Sequence, residues 1–293
     1  MVFSFIETEK TRRSIPLMCR VLRVSRPGYY AWRERPPSSR EREDAELTGR
    51  IGRIHRDSRG TYGAPRVHAQ LRSEGVRVGN KRVARLMRKE GLQGCHHRCK
   101  KTPRTTLRDP RATPAEDLVE RDFTPVAKDR LWVADISYVP TWEGSDYLAF
   151  ILDAYSGRLV GWAMADHLRA ELVTDALGMA IWRRNPAPGL IHHSDQGSQY
   201  TSISLGRKLE EAGIAPSTGS VADPYDNALA ESFVSSLKRE LVERRSWPTR
   251  EAVRGAMFEY FEVFYNRKRI HSALGCQSPA DYERSTMEEG VAA

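Results

Sequence analysis

Apolar residues change their spacing along this chain near residue 128, from a helical recurrence in front to short, dense runs behind. In front, Ile15 to Leu22 is apolar-periodic, and Pro27-Gly28 is expected to punctuate a turn after which Tyr29, Tyr30 and Trp32 pack back on that helix. Residues 35–40, rich in Pro, Ser and Arg, read as a linker. Three helices are then expected: one with Leu47, Ile51 and Ile54 on a face, one with Val67 and Leu71 closed by Gly75, and one capped by Asn80, bearing Val83, Leu86 and Met87 and closed by Gly91. Behind residue 128, Leu131 to Val139 reads as a buried strand that Pro140 ends, and Asp146–Ala154 and Gly157–Ala165 complete a three-strand meander. A helix over 170–184, a strand over Gly189–Ser194, a helix over Ser202–Ala212 and a short strand over Ile214–Thr218 follow. Such alternation predicts an α/β fold, a mixed sheet with helices on its faces, behind a small all-α region.

Composition narrows the class. The chain has 293 residues, 40% of them hydrophobic, enough for folded cores, and a net charge of +9. The charge is uneven: residues 1–130 hold 31 Lys and Arg against 16 Asp and Glu, a balance of +15, and the remainder stands at −6. A basic front points to phosphate contacts with double-stranded DNA, with a solvated charged face as the alternative. Lys81, Arg82, Arg85, Arg88 and Lys89 lie on the polar face of the third helix, an arrangement like the recognition helix of a helix-turn-helix. Four cysteines make no disulfide framework, apolar runs stop well short of a membrane span, and no secretory signal is visible, so a cytoplasmic protein with no membrane partner is expected. Cys95-His96-His97-Arg98-Cys99 has zinc-ligand residue types but no second pair at ligand spacing, and reads as part of a basic linker to Arg111.

Chemistry enters with three acids. Asp135 sits inside an apolar strand, where a carboxylate sheds water and needs a cation, either a structural Arg or Lys or a metal. Asp195, in His192-His193-Ser194-Asp195-Gln196-Gly197, falls at the carboxyl end of a strand, where α/β sheets place ligands; alone it reads equally as a turn cap. After Asp223-Pro224, a helix start, Phe233, Leu237 and Leu241 make a buried stripe, while Asn227, Glu231 and Lys238 line another face. Two carboxylates about 4 Å apart repel by roughly 4 kcal/mol at an effective dielectric near 20. A divalent ion with oxygen ligands, Mg²⁺ or Mn²⁺, removes that repulsion.

In combination, Trp132-x-x-Asp135-Ile136-Ser137-Tyr138, His193-Ser194-Asp195-Gln196-Gly197-Ser198-Gln199-Tyr200 and Asp226-Asn227-Ala228-x-x-Glu231-Ser232-Phe233 resemble the three DDE motifs of the insertion-sequence-three transposases. The 35 residues between Asp195 and Glu231, Lys238 seven positions on, and the tail Tyr265-Asn266-Arg267-Lys268-Arg269-Ile270-His271 also match, with Ile270 where proline is common. Met18-Cys19 and Tyr29-Tyr30-Ala31-Trp32 resemble the start of that family's second-frame product, OrfB.

The resemblance implies a ribonuclease H-like integrase catalytic core over 128–285, preceded by a helical segment (1–44), a helix-turn-helix-like region (45–105) and a linker (106–127), with a tail over 286–293. It implies metal-dependent cleavage and strand transfer at element ends and target DNA, with Asp135, Asp195 and Glu231 holding two Mg²⁺ or Mn²⁺ ions. Lys238 would contact phosphate or the terminal base, and Asn227 would orient Glu231. Arg267, Arg269 and His271 would bind DNA or brace the core. His192 and His193 would support the acids or simply pack. A homo-oligomer on DNA and an upstream-frame OrfA protein or fusion are the expected partners. An inactive DNA-binding regulator of transposition, or a ribonuclease acting on RNA–DNA hybrids, are the competing readings. A regulator has no need of three convergent acids, and a hybrid ribonuclease leaves the basic front unexplained. Three carboxylates converging on a polar gap, with no basic side chain paired to Asp135, are expected of the metal-free protein.

Overall fold

A computed structural model describes residues 2–95, 115–119, 122–195, 197, 199–219 and 228–292. The chain divides into two compact units, Met1–Arg53 and Ile54–Ala293.

The first unit holds α1 (Val2–Glu9), α2 (Ile15–Val21), α3 (Arg26–Glu34) and the start of α4 (Ser39–Asp57). Its core gathers Ile6, Met18, Cys19 and Tyr29, with Phe3 and Trp32 packed against them. Pro27-Gly28 does not make the expected turn. Ser25 caps α3 by accepting a hydrogen bond from the Gly28 N–H (3.1 Å), so Pro27 falls in the first helical turn, where its missing N–H costs nothing. Glycine is required there, because a Cβ would stand 2.6 Å from the Ser25 hydroxyl. The expected linker is also shorter than residues 35–40: Ser38 and Glu41 form a reciprocal capping box that starts α4 at Ser39.

In the second unit, α5 (Ala64–Ser73) and α6 (Asn80–Lys89) pack through Val67, Leu71, Val83, Leu86 and Met87. Gly75 (φ 79°) and Gly91 (φ 67°) close them in the left-handed region, as expected, and the next N–H reaches back to Leu71 and Met87 respectively. The residue capping α6 is Gly79, one position before the Asn80 that the sequence favoured.

Among the described residues one five-stranded sheet forms, in the order β3-β2-β1-β4-β5. β1 (Leu131–Thr141), β2 (Gly144–Asp153) and β3 (Leu159–Ala165) are an antiparallel meander; after α7 (Ala170–Arg184), β4 (Ile191–Ser194) pairs parallel to β1, and after α8 (Ile203–Glu211), β5 (Ala215–Thr218) pairs parallel to β4. Pro140 does not end β1. Beyond Val133 only β2 pairs with β1, so Pro140 sits where the strand has an open edge, opposite Ser145. Alternation along β1 sorts the layers: Trp132 and Ala134 join the core under α7 and α8, while Val133 and Asp135 face the other way. Helix α7 lies so close to β3 that a Cβ on Gly161 would be 2.2 Å from the Ala176 carbonyl.

The opposite face is covered by α9 (Ala228–Glu240), α10 (Arg250–Phe258) and the π-helical turn Glu259–Tyr265 that continues it. Phe233 of α9 stacks on Phe150 of β2 (4.7 Å between centroids) and meets Tyr265 edge-on (5.0 Å). The last helix, α11 (Pro279–Ala292), is anchored by Glu283, which accepts from Arg184 (2.9 Å) and Arg158 (2.6 Å). The expected mixed sheet with helices on both faces is thus what the chain builds. Among the described residues no helix is long and apolar enough to cross a membrane.

Candidate active site

Asp135 pairs across the ladder with Phe150, and directly opposed residues share a face, so Asp135 lies on the side of the sheet that α9 covers. The residue is half-buried, but its carboxylate has lost most of its water, and that desolvation, with the charges of Asp195 and then Glu231, pushes its pKa up to about 7. Two groups oppose the rise: the Ile136 N–H, which donates to Asp135 Oδ1 (2.7 Å), and the charge of Lys238. Among the described residues no Lys or Arg forms an ion pair with Asp135; the Lys238 ammonium sits over the Tyr138 ring, 4.9 Å from its centroid.

Parallel pairing positions the second acid. β4 matches β1 as Leu131 with Ile191, Trp132 with His192 and Val133 with His193; the ladder ends there, and Asp195 follows the last residue of β4, near enough for its charge to act on Asp135. Asp195 Oδ1 accepts from the Gly197 N–H (3.1 Å), tightening the turn that leaves the sheet. The turn is tight at Gly197, where a Cβ would be 3.0 Å from Asp195 Oδ1 and 3.6 Å from the Tyr200 ring. Glu231 is exposed in the first turn of α9, and Lys238 follows two turns later on a similar face.

Asp135 therefore feels the charges of both other acids. Among the described residues, however, no group of three His, Cys, Asp or Glu side chains stands close enough together to hold an ion. The oxygen-only donor set and the raised carboxyl of Asp135 suit a hard divalent cation.

The histidines before Asp195 are packed. Burial pushes His192 down to about 4, which keeps it neutral, and the His193 ring bonds Ser217 Oγ (2.9 Å) and meets Phe123 edge-on. In the tail, Arg267 is exposed, but Arg269 is 3% exposed and turned inward, so of its two expected roles, binding DNA or bracing the core, its position supports the second. It makes a two-pronged bond to Glu240, Nε and Nη2 each at 2.8 Å, and so braces the core. His271 is half-buried, and burial together with Arg269 and Arg66 holds it down at about 3, so it offers DNA no positive charge. On α6, Lys81, Arg85 and Arg88 are exposed and Arg82 is half-buried. Asn227 and the stretch from His96 to Arg111 lie outside the described residues.

Sequence reasoning missed Glu240 and Tyr62. Glu240 follows Phe233 by seven positions and Ser236 by four, so it falls on the buried stripe of α9, and an acid there demands a cation. Tyr62 accepts from the Ile270 N–H (2.8 Å) and donates to the Lys268 carbonyl (3.2 Å), tying the approach to α5 to the tail. No local signal announces that bond.

A strand-borne acid, a second acid just past the end of the adjacent parallel strand and a third on the covering helix, behind a pair of helices with a basic face, define the class. It is an integrase-type core with a helix-turn-helix region. Family models agree: "Integrase core domain" matches residues 125–224, a second integrase core model matches 212–279, and "HTH-like domain" matches 41–100. The chain is 40% identical to the transposase for insertion sequence element IS629 of Shigella sonnei, over 92% of this chain and 90% of that one. It is 36% identical to transposase InsF for insertion sequence IS3A of Escherichia coli, over 98% and 100%. A chain of the simian T-cell lymphotropic virus intasome superposes loosely, with TM-score 0.45 and 16% identity over 73% of this chain and 69% of that one. The chain belongs to the insertion-sequence-three family of transposases.

Proposed function

We propose that the chain cuts and joins DNA in transposition, with Asp135, Asp195 and Glu231 as the ligands of Mg²⁺ or Mn²⁺. The observation that carries this reading is Asp135 itself, a desolvated carboxylate with two further acids acting on it and no ion-paired cation among the described residues. Two divalent ions, when bound, would activate water or a 3′-hydroxyl and stabilise the departing 3′-oxygen of an in-line phosphoryl displacement. Asp135 is fixed by the sheet and supplies a rigid donor. Asp195 adds a donor held by its own turn, and Glu231 completes the set from the first turn of α9. Lys238, on the same helix, meets a phosphate or the terminal base, and Asn227 orients Glu231. The exposed cations of α6 and Arg267 track phosphates of duplex DNA, both element end and target. The chain works as a homo-oligomer on DNA, with an upstream-frame partner or fusion supplying further end recognition.

Cleavage and joining of duplex oligonucleotides carrying the element's ends tests the reading. Asp135→Asn, Asp195→Asn and Glu231→Gln are each expected to abolish both reactions in Mg²⁺ while leaving folding and DNA affinity largely intact. Unchanged cleavage in all three rejects it. Binding without cleavage by the wild-type chain in either metal identifies a regulator instead.

A further inference from the structure

Tyr62 stands where the helix pair α5–α6 meets the catalytic core, and its hydroxyl is used twice: it accepts from the Ile270 N–H (2.8 Å) and donates to the Lys268 carbonyl (3.2 Å). Between those two residues lies Arg269, whose guanidinium grips Glu240 on α9. A second link reaches the same helix directly. Arg66, in the first turn of α5, donates to Glu240 Oε1 (3.3 Å) and lies over the Tyr62 ring. The turn before Tyr62 is held as well: the Arg59 guanidinium pairs with Glu259 (2.9 Å), and Arg244 donates to the Arg59 carbonyl (2.6 Å). The chain leaving α6 returns to this seam, where the Cys95 N–H bonds the Thr61 carbonyl (3.0 Å). A cavity of about 370 Å³, lined in part by Tyr62, Gln70, Phe264 and Ile270, opens beside the phenol, so the joint leans on these bonds rather than on continuous apolar packing.

We propose that Tyr62 and Arg66 are positioning residues that fix the α5–α6 pair against α9, so that the number of base pairs between the DNA contacted by α6 and the phosphodiester cut at the acids is set by the fold. The assignment rests on the reading of the chain as a DNA-cutting enzyme with α6 on the element end, and it goes further by naming what measures the spacing. Helix α9 is the common part. It carries Glu240, to which the helix pair is fastened, and Glu231, about 14 Å away along the helix axis. A flexible tether of four residues would spread the reach of the helix pair by roughly 11 Å, about three base pairs. Only Gly63 separates Tyr62 from α5, so that spread is absent. Each base pair added to B-form DNA moves the cut point about 3.4 Å along the axis and about 35° around it, and two carry the phosphate about 7 Å from the acids. The competing role is stability alone, in which these bonds hold the fold and leave the spacing to some other part.

End cleavage by the full chain, as wild type, Tyr62→Phe, Arg66→Gln and the double variant, separates these roles on duplexes with up to about six base pairs inserted between the cut site and the segment that α6 protects. That segment is the hydroxyl-radical footprint lost when Lys81→Gln is combined with Arg88→Gln. Wild type is expected to cut an end carrying two added pairs about 100-fold more slowly than the native end. The ratio of inserted-end to native-end cleavage is expected to rise about 10-fold in the double variant and by less in each single one. Thermal melting checks that each chain is folded at the assay temperature, and the single variants carry the comparison if the double variant is not. An unchanged ratio in the folded variants, whether or not their melting is lowered, leaves only a stabilising role and overturns the assignment. Equal cutting of native and inserted ends by wild type, or a footprint untouched by the α6 substitutions, overturns it too and leaves the cutting reading standing. Absence of native-end cleavage by wild type in either Mg²⁺ or Mn²⁺ overturns both.

Discussion

Helix α9 carries two acids with opposite fates. Glu240, at its carboxyl end, is buried at 6% exposure and fully answered: Arg269 grips it through two nitrogens, the Tyr260 hydroxyl donates at 2.8 Å, and Arg66 stands at 3.3 Å. Burial alone would push its carboxyl up, yet the Arg269 bonds and charge outweigh burial and leave it below the ordinary value. At the other end, Glu231 is exposed and adds its charge to that of Asp195 on Asp135, where burial and like charge act together and outweigh the Ile136 N–H and the Lys238 charge that oppose them. The fold can evidently satisfy a buried carboxylate when it has to. A second carboxylate, Asp135, desolvated and without an ion-paired cation among the described residues, is what the proposed metal site calls for.

The sharpest way to break the comparison is to remove the answer at the closed end. Arg269→Met leaves Glu240 buried with only Tyr260 and a marginal Arg66, and is expected to cost about 3–5 kcal/mol of unfolding free energy, read by urea denaturation. Replacing both partners, as Glu240→Leu with Arg269→Met, should return most of that loss, because two apolar groups leave no charge stranded. A single-mutant loss below about 1 kcal/mol would make the pair no more than a surface bridge and erase the contrast.

The open end makes the opposite demand on pH. Asp135 rises from an ordinary 3.8 to about 7 in the metal-free fold, so the folded chain holds this proton more tightly than the unfolded chain does. Its contribution to stability is unchanged below about pH 4, is lost as the pH climbs through about 7, and is flat above that. At about 1.4 kcal/mol per unit, and discounted for a residue that is half-buried, the loss should amount to roughly 2 kcal/mol relative to Asp135→Asn, which has no such proton. Urea denaturation of both chains across that range measures the difference. Millimolar Mn²⁺ near neutral pH should restore the wild type and leave the variant unmoved. Parallel stability curves for the two chains would remove the claim that Asp135 is strained.

Much of this contrast could be read from residue order, and the unread part has a common cause. The strands and α7 follow from runs of Val, Ile, Leu and aromatics against a 3.6-residue recurrence, and Asp135 announces itself as a charge in an apolar strand. Pro140 and Pro27 misled because a proline stops an element only where its N–H would have been used; one lies at an open strand edge and the other in a first helical turn. Whether Arg269 binds DNA or braces the core is not legible locally, because a basic tail looks exposed until its partner is known. That partner, Glu240, lies 29 positions earlier, Arg66 reaches Glu240 over 174 positions, and Tyr62 lies about 200 residues from the tail it helps fix. Pairings over such separations are set by topology, which local pattern does not encode.

The smallest expected effect probes how the two ends of α9 communicate through charge alone. Lys238 lies between Glu231 and Glu240, and its positive charge pulls Asp135 down against the three influences that raise it. Lys238→Met keeps the length of the stem over Tyr138 and removes the charge, so the Asp135 titration midpoint, followed by carboxyl ¹³C shifts in the metal-free chain, should move further up. Because the lysine is half-buried and no ion pair joins it to Asp135, the move should be modest and should shrink as salt is added. A downward move, or none at low salt, would mean that Lys238 does not act on Asp135. The open end would then be more isolated than its neighbouring charges imply, and the lysine's place beside the acids would have to be explained by what it offers to DNA alone.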